Sequence, residues 1–172
     1  MHNNNIIHRE INPQALSIES SGKKLDIIKF LDFGFWKYYK NLNIHIPYKK
    51  YNKIMGNNII FGSINSLTGI ELSRRDDLIS LAYILIYFIK GCLPWENIKK
   101  NKKEKIKDII KIKKLYKDKL VEGLPEEIKL FFNYINNLKF EEEPDYLYLK
   151  NLLKIIINTE NSEKNYYFDI TK

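Results

Sequence analysis

Apolar residues along the chain follow two spacings, and the longest stretch at helical spacing lies between residues 73 and 91. Leu78, Leu81, Ala82, Leu85, Ile86 and Ile89 recur every three or four positions, so one apolar stripe runs through the segment. Ile79, Tyr83, Ile84 and Tyr87 cover the other face. A helix apolar nearly all round belongs in the middle of a domain, with the other elements packed on it. Ser73 stands where an N-cap is needed, Asp76 can reach back to it, and both Asp76 and Asp77 suit the positive end of the helix dipole. Gly91 supplies the stop. Leu81 to Ile89 is nine uninterrupted apolar residues, too few to span a bilayer, which takes about 20.

The other segments arrange themselves around this helix. Ile6 and Ile7 lead into His8-Arg9-Glu10-Ile11-Asn12-Pro13, where Pro13 pushes Asn12 out of the helical region and predicts a structured loop. Leu16-Ser17-Ile18 and residues 25–31 read as two short strands about a turn at 19–23, a β-hairpin. Asp32-Phe33-Gly34 follows directly. Between 35 and 72 the periodicity breaks up, with Pro47, Gly56, Gly62 and Gly69 as punctuation, and a long loop of the functional kind is predicted. Leu93-Pro94-Trp95 is a turn with a bulky anchor. Residues 102–116 form a basic amphipathic helix with Ile106, Ile109, Ile110 and Ile112 inward. Pro125, Glu126 and Glu127 open a third helix striped by Ile128, Phe131, Phe132, Ile135 and Leu138. Pro144 opens a fourth, with Tyr146, Leu149, Leu153, Ile156 and Ile157 inward. The result is one domain over 1–172, mainly α with a small β-hairpin.

Composition agrees and narrows the setting. With 172 residues, 44% hydrophobic and 13% aromatic, the chain can bury a sizeable core and is no disordered tail. The single cysteine, Cys92, rules out an intramolecular disulfide and suits a reducing compartment; beside the buried helix, it is expected to pack. Met1-His2-Asn3-Asn4-Asn5 shows no basic start leading into an apolar run, so a cytoplasmic or nuclear location is the default. The net charge of +8 is concentrated: eleven lysines between 99 and 119 meet only Glu104, Asp108 and Asp118, a surplus equal to that of the whole chain. A solvated basic helix is the favoured reading of this run. The competing one is a patch for acidic partners, carried by Lys99, Lys100, Lys102, Lys103 and Lys105. Only Tyr116 interleaves with these lysines, which argues against stacking on nucleic-acid bases. His45 has no cysteine or histidine partners at metal-ligand spacing.

The order of motifs brings chemistry in. A His-Arg-acid loop, a hairpin and then Asp-Phe-Gly is an arrangement that phosphoryl transfer explains: the loop acid takes the hydroxyl proton, a lysine steadies the phosphate, and an Asn and the Asp of Asp-Phe-Gly hold magnesium. Further blocks follow in a set order: His45-Ile46-Pro47-Tyr48, Ser63-Ile64-Asn65, Gly69-Ile70-Glu71, Ser73-Arg74-Arg75-Asp76-Asp77-Leu78, Leu93-Pro94-Trp95 and Pro144-Asp145-Tyr146. Together with Tyr166-Tyr167-Phe168-Asp169 near the end, they resemble the casein kinase I family over essentially the whole chain.

That resemblance implies a protein-kinase-like C-terminal lobe: catalytic loop, hairpin and Asp-Phe-Gly at 1–34, activation segment at 35–72 and helical subdomain at 73–172. Asp77 would match the acid that ties the catalytic loop down, with His8 and Arg9 packing and pairing there. The N-terminal lobe, with its glycine-rich loop and ATP-pairing lysine, has no counterpart in these residues. The catalytic set is degenerate. Glu10 stands at the base position, and its extra methylene displaces the carboxylate by about 1 Å, which positioning arguments make worth about 10²-fold. Asn12 takes the lysine position and brings no positive charge. Ala15 takes the position of a magnesium ligand and cannot coordinate. Asp32 alone remains as a magnesium ligand, or else caps the turn it starts. Residues 55–61 replace the family's Thr-Gly-Thr-Ala-Arg-Tyr stretch with one insertion, and the phosphate-reading arginine becomes Ile60. The implied function is therefore a truncated kinase domain without activity, a pseudokinase or scaffold. The alternatives are the C-terminal part of an active ATP-dependent serine/threonine kinase, and a basic-patch binding protein. No cofactor is expected, or Mg-ATP if activity is retained; protein partners would use the surface that the small lobe covers, or the lysines, and a membrane is not expected.

Overall fold

A computed structural model describes residues 1–19 and 27–161. In chain order the described elements are β1 (Ile6–Ile7), β2 (Leu16–Glu19), β3 (Ile27–Phe30), β4 (Lys37–Tyr38), β5 (Lys40–Asn41), β6 (Ile44–His45), α1 (Ile64–Thr68), α2 (Arg74–Lys90), α3 (Lys102–Leu115), α4 (Glu126–Asn137) and α5 (Tyr146–Asn161). The protein is mainly helical, with three small antiparallel ladders among the described residues: β1 with β4, β2 with β3, and β5 with β6. The β2–β3 hairpin runs in register from Leu16 opposite Phe30 to Glu19 opposite Ile27. The tip of its turn, and the Tyr166–Asp169 block, lie outside the described residues.

The central helix has the expected ends. Ser73 is extended (φ −137°), the Asp76 carboxylate accepts the Ser73 N–H at 2.9 Å, and Gly91 is left-handed (φ 78°), its N–H returning to the Tyr87 carbonyl at 2.8 Å. Leu78, Ile79, Ala82, Tyr83, Ile84 and Ile86 are buried in one core with Phe131, Phe132 and Ile135 of α4. Trp95 is wholly buried; its ring meets Tyr83 edge-on at 5.1 Å and its indole N–H donates to the Ile60 carbonyl at 2.9 Å. All five apolar positions expected inward on the third helix are buried.

Four expectations need correcting. The last turn of α2 emerges from the domain, so Phe88 and Ile89 are 63% and 51% exposed and Ile89 does not belong to the inward stripe. Cys92, just beyond that turn, is exposed rather than packed, because Leu93 and Trp95 take the buried positions. Burial fades along α5, leaving Ile157 exposed, and Leu152 joins Leu149 as the buried pair. Lys113, expected on a solvated face, is 3% exposed.

Lys113 is buried because it bridges two elements. Its Nζ donates to the Ile60 carbonyl at 2.9 Å and to the Gly62 carbonyl, and lies over the rings of Tyr83 (4.4 Å) and Trp95 (4.9 Å). Burial holds its ammonium well below the ordinary lysine value. The segment it grips is not a bare loop. Within it, Ser63 caps α1 by accepting the Ser66 N–H at 3.1 Å, and Gly69 ends that helix in the left-handed region (φ 78°). A smaller core of Ile7, Tyr39, Met55 and Leu72 fixes the rest of the segment. Among the described residues, no helix is long and apolar enough to cross a membrane.

Two outcomes follow. Ile135→Ala, at a wholly buried position, costs about 2–5 kcal/mol in urea denaturation, while Ile89→Ala stays within about 0.5 kcal/mol; equal losses would contradict the burial described. Lys113 binds fewer protons folded than unfolded, so its contribution makes stability rise as pH climbs toward its ordinary value of 10.5. Lys113→Met should remove that component of the pH profile, and an unchanged profile would show the lysine to be solvated.

Candidate functional site

The site grows from the loop ahead of the hairpin. Asp77, in the first turn of α2, accepts the His8 N–H on Oδ2 at 2.7 Å and the Arg9 N–H on Oδ1 at 2.8 Å. Arg9 is left-handed (φ 72°), a strained conformation for a non-glycine residue. Hydrogen bonds to a carboxylate are among the stronger ones available to hold it. His8 is wholly buried, its ring against Phe30 at 5.6 Å and Phe33 at 5.3 Å. Its Nε2 lies 3.1 Å from the Leu31 carbonyl, which only accepts, so the proton sits on Nε2 and Nδ1 is left to face the Glu10 N–H at 3.4 Å. His8 thus joins loop to hairpin.

The positions singled out for chemistry are occupied with holding the loop's shape. The Asn12 side chain accepts the Ala15 N–H at 3.1 Å and donates to the Glu10 carbonyl at 2.9 Å, closing a tight turn. The Ala15 methyl is buried, and its carbonyl accepts the Leu31 N–H at 2.8 Å. Asp32 is left-handed (φ 57°) and exposed, and its carboxylate accepts the Gly34 N–H at 3.3 Å, which is the capping role.

Glu10 is nearly buried, with Oε2 accepting the Asn57 N–H at 3.0 Å. Desolvation pushes its carboxyl above the ordinary value, the Asn57 N–H opposes this, and the neighbouring Asp32 charge adds to the rise. Gly56 (φ 88°) closes over the carboxylate so tightly that a Cβ there would sit 2.7 Å from Oε2. Asn58 holds the same strand of chain, donating to the Ile11 carbonyl at 2.6 Å and accepting the Phe61 N–H at 3.0 Å.

A cleft of ≈ 410 Å³ by Ile11, Phe30, Leu78 and Leu81 is mainly apolar, whereas a second, of ≈ 610 Å³, collects the polar candidates. Glu10, Asn12, Lys100, Lys102 and Lys105 line the second, together with Gln14, Asn57, Asn58 and Glu96. Lys99 and Lys103 are exposed nearby but do not line it, and His8, Arg9, Ala15, Asp32 and Asp77 stand outside the lining. Lys100 is already paired, its Nζ 2.6 Å from Asp108, which raises its value. Asn57 and Asn58 had a signal in the sequence, since Gly-Asn-Asn is turn chemistry, but nothing local told that the turn closes on Glu10.

These donors do not suit magnesium. A hard cation wants several oxygen ligands; the loop offers one exposed carboxylate, a methyl at Ala15, and a Glu10 already bonded to backbone. Among the described residues no group of three His, Cys, Asp or Glu side chains stands close enough to hold a metal. No protein-family model matches the chain.

The raised Glu10 carboxyl gives a sign that can be measured. Its folded value lies above the unfolded one, so its stabilising contribution is complete below about 4.5 and is lost as pH rises through the folded value. Glu10→Gln keeps an acceptor for Asn57 and lacks the titration. Urea denaturation at acid and neutral pH should therefore show the variant gaining on the wild type as pH rises. A constant difference between the two would mean that Glu10 is solvated.

Proposed function

We propose that the chain is a casein kinase I-like C-lobe that has lost phosphoryl transfer and serves as a binding module. The observation that carries this reading is the state of the loop. Asp77 holds the backbone of His8 and Arg9 in place, while Glu10, Asn12 and Ala15 use their groups to hold the loop itself. A general base must reach the proton it takes. Glu10 instead faces the Asn57 N–H, and desolvation raises its carboxyl above the ordinary value. No cation stands at Asn12 to meet developing phosphate charge.

The cleft beside this loop is the proposed binding surface, and an acidic segment of a protein partner is the proposed ligand. Lys102 and Lys105 supply the charge, and Asn57 and Asn58 supply polar groups for a backbone. One observation favours a second reading, in which a small lobe completes an active kinase. Leu31, Phe33, Phe35, Trp36 and Tyr38 are all exposed along one stretch next to the hairpin, an apolar strip of the sort that another domain covers.

A radiolabelled phosphate-transfer assay with casein and Mg-ATP separates the readings: the chain is expected to give no turnover above background. Turnover that Asp32→Ala abolishes would overturn the proposal. Binding of an acidic peptide should weaken with added salt, and by about tenfold with Lys102→Glu.

A further inference from the structure

A second deeply buried cation lies away from the basic helix. Arg74, the first residue of α2, is 3% exposed, and its guanidinium stacks on the Tyr39 ring at 4.5 Å. Nη1 donates to the Tyr39 hydroxyl at 3.2 Å and Nη2 to the Glu141 carbonyl at 2.8 Å. Its Nε is buried and has no hydrogen-bond acceptor among the described residues. A buried guanidinium normally faces a carboxylate in a two-point contact. Here the paired acid is Glu143, 3.8 Å from Nη1, on a side chain that is 73% exposed.

This arginine borders a polar cavity of ≈ 250 Å³, which Lys40, His2, Tyr39, Tyr146 and Glu143 also line. Asp77 does not line this cavity, and its carboxylate accepts from His8, Arg9 and His2 Nε2 instead. His2 Nδ1 in turn meets the Tyr146 hydroxyl at 2.7 Å. Two full cations, Arg74 and Lys40, therefore face the space against one rim carboxylate, and an N–H of Arg74 goes without a partner.

We propose that this cavity binds a small tetrahedral oxyanion: free phosphate or the phosphate group of a small phosphomonoester. Phosphate matches the site in three respects. Its negative charge answers the surplus of cation over the rim carboxylate, its several oxygens can serve the Arg74 guanidinium and the Lys40 ammonium at once, and it fits the volume. The site does not depend on the kinase-like reading and shares no residue with the cleft.

The test is isothermal titration of the full chain with inorganic phosphate, against chloride at matched ionic strength. Saturable binding is expected, weakened about tenfold or more by Lys40→Glu, which reverses a rim charge. Glu143→Gln should tighten it, since it removes the rim carboxylate that pairs with Arg74, and Lys102→Glu should leave it unchanged. Arg74 is buried in the fold, so these rim variants carry the test. Glycerol 1-phosphate as a second titrant separates the sources: weaker binding than phosphate assigns the site to the free ion, equal or tighter binding to an ester. No saturation, or binding indifferent to Lys40→Glu and abolished by Lys102→Glu, would overturn the proposal.

Discussion

The arrangement of this protein rests on one carboxylate. Asp77 sits in the first turn of a helix that is buried nearly all round, and its two oxygens accept the backbone N–H groups of His8 and Arg9. Backbone at a loop has polar groups that burial leaves wanting, and here the central helix supplies the acceptors. The loop's left-handed Arg9 needs such restraint, since only surroundings that over-determine a strained residue keep it. Everything later in the loop, from the Asn12 turn to the link between Ala15 and Leu31, is placed by that anchor. Removing the carboxylate would leave a buried donor at His8 and a part-buried one at Arg9 unmet, which costs more than one ordinary hydrogen bond contributes.

The opposite wall of the cleft is fixed by different means. Residues 56–62 carry no regular structure, yet they are held at both ends. Glu10 takes the Asn57 N–H at one end, and the Trp95 indole and Lys113 ammonium take the carbonyls of Ile60 and Gly62 at the other. Both clamps are polar groups buried among apolar ones, which makes them specific: a shift of the chain would leave an N–H or an ammonium without a partner. The cleft is thus a gap between two pinned segments rather than between two floppy loops.

Much of this was legible in the sequence, and the remainder fails for identifiable reasons. The stripe Ile128, Phe131, Phe132, Ile135 and Leu138 predicted a buried face because each residue's neighbours are set by the helical period itself. The caps at Ser73 and Gly91 were equally local. Lys113 was not legible: it stands among ten other lysines, and what buries it are Tyr83 and Trp95, which arrive from elsewhere in the chain. Ile89 follows the period faithfully, but period tells which face a residue shares and not where the cover ends. The turn role of Asn12 was visible in the restriction that Pro13 imposes; that its amide would also close on Glu10 was not.

On the proposed reading, the frame of this loop has outlived the chemistry of a kinase loop, and the geometry gives a reason. The groups that position the loop are backbone N–H and C=O met by Asp77, His8 and Leu31, and they work whatever the loop's exposed side chains are. The groups that would act on a phosphate had to remain uncommitted, pointing outward with unused donors or charge. In this chain the groups at those positions are committed within the fold: Asn12 caps its own turn, Ala15 fills a core site, and Glu10 seals against Gly56 and Asn57. Each such contact makes the fold more self-contained and the loop less able to reach a substrate. Stability and reactivity compete for the same few atoms, and at this loop stability holds them.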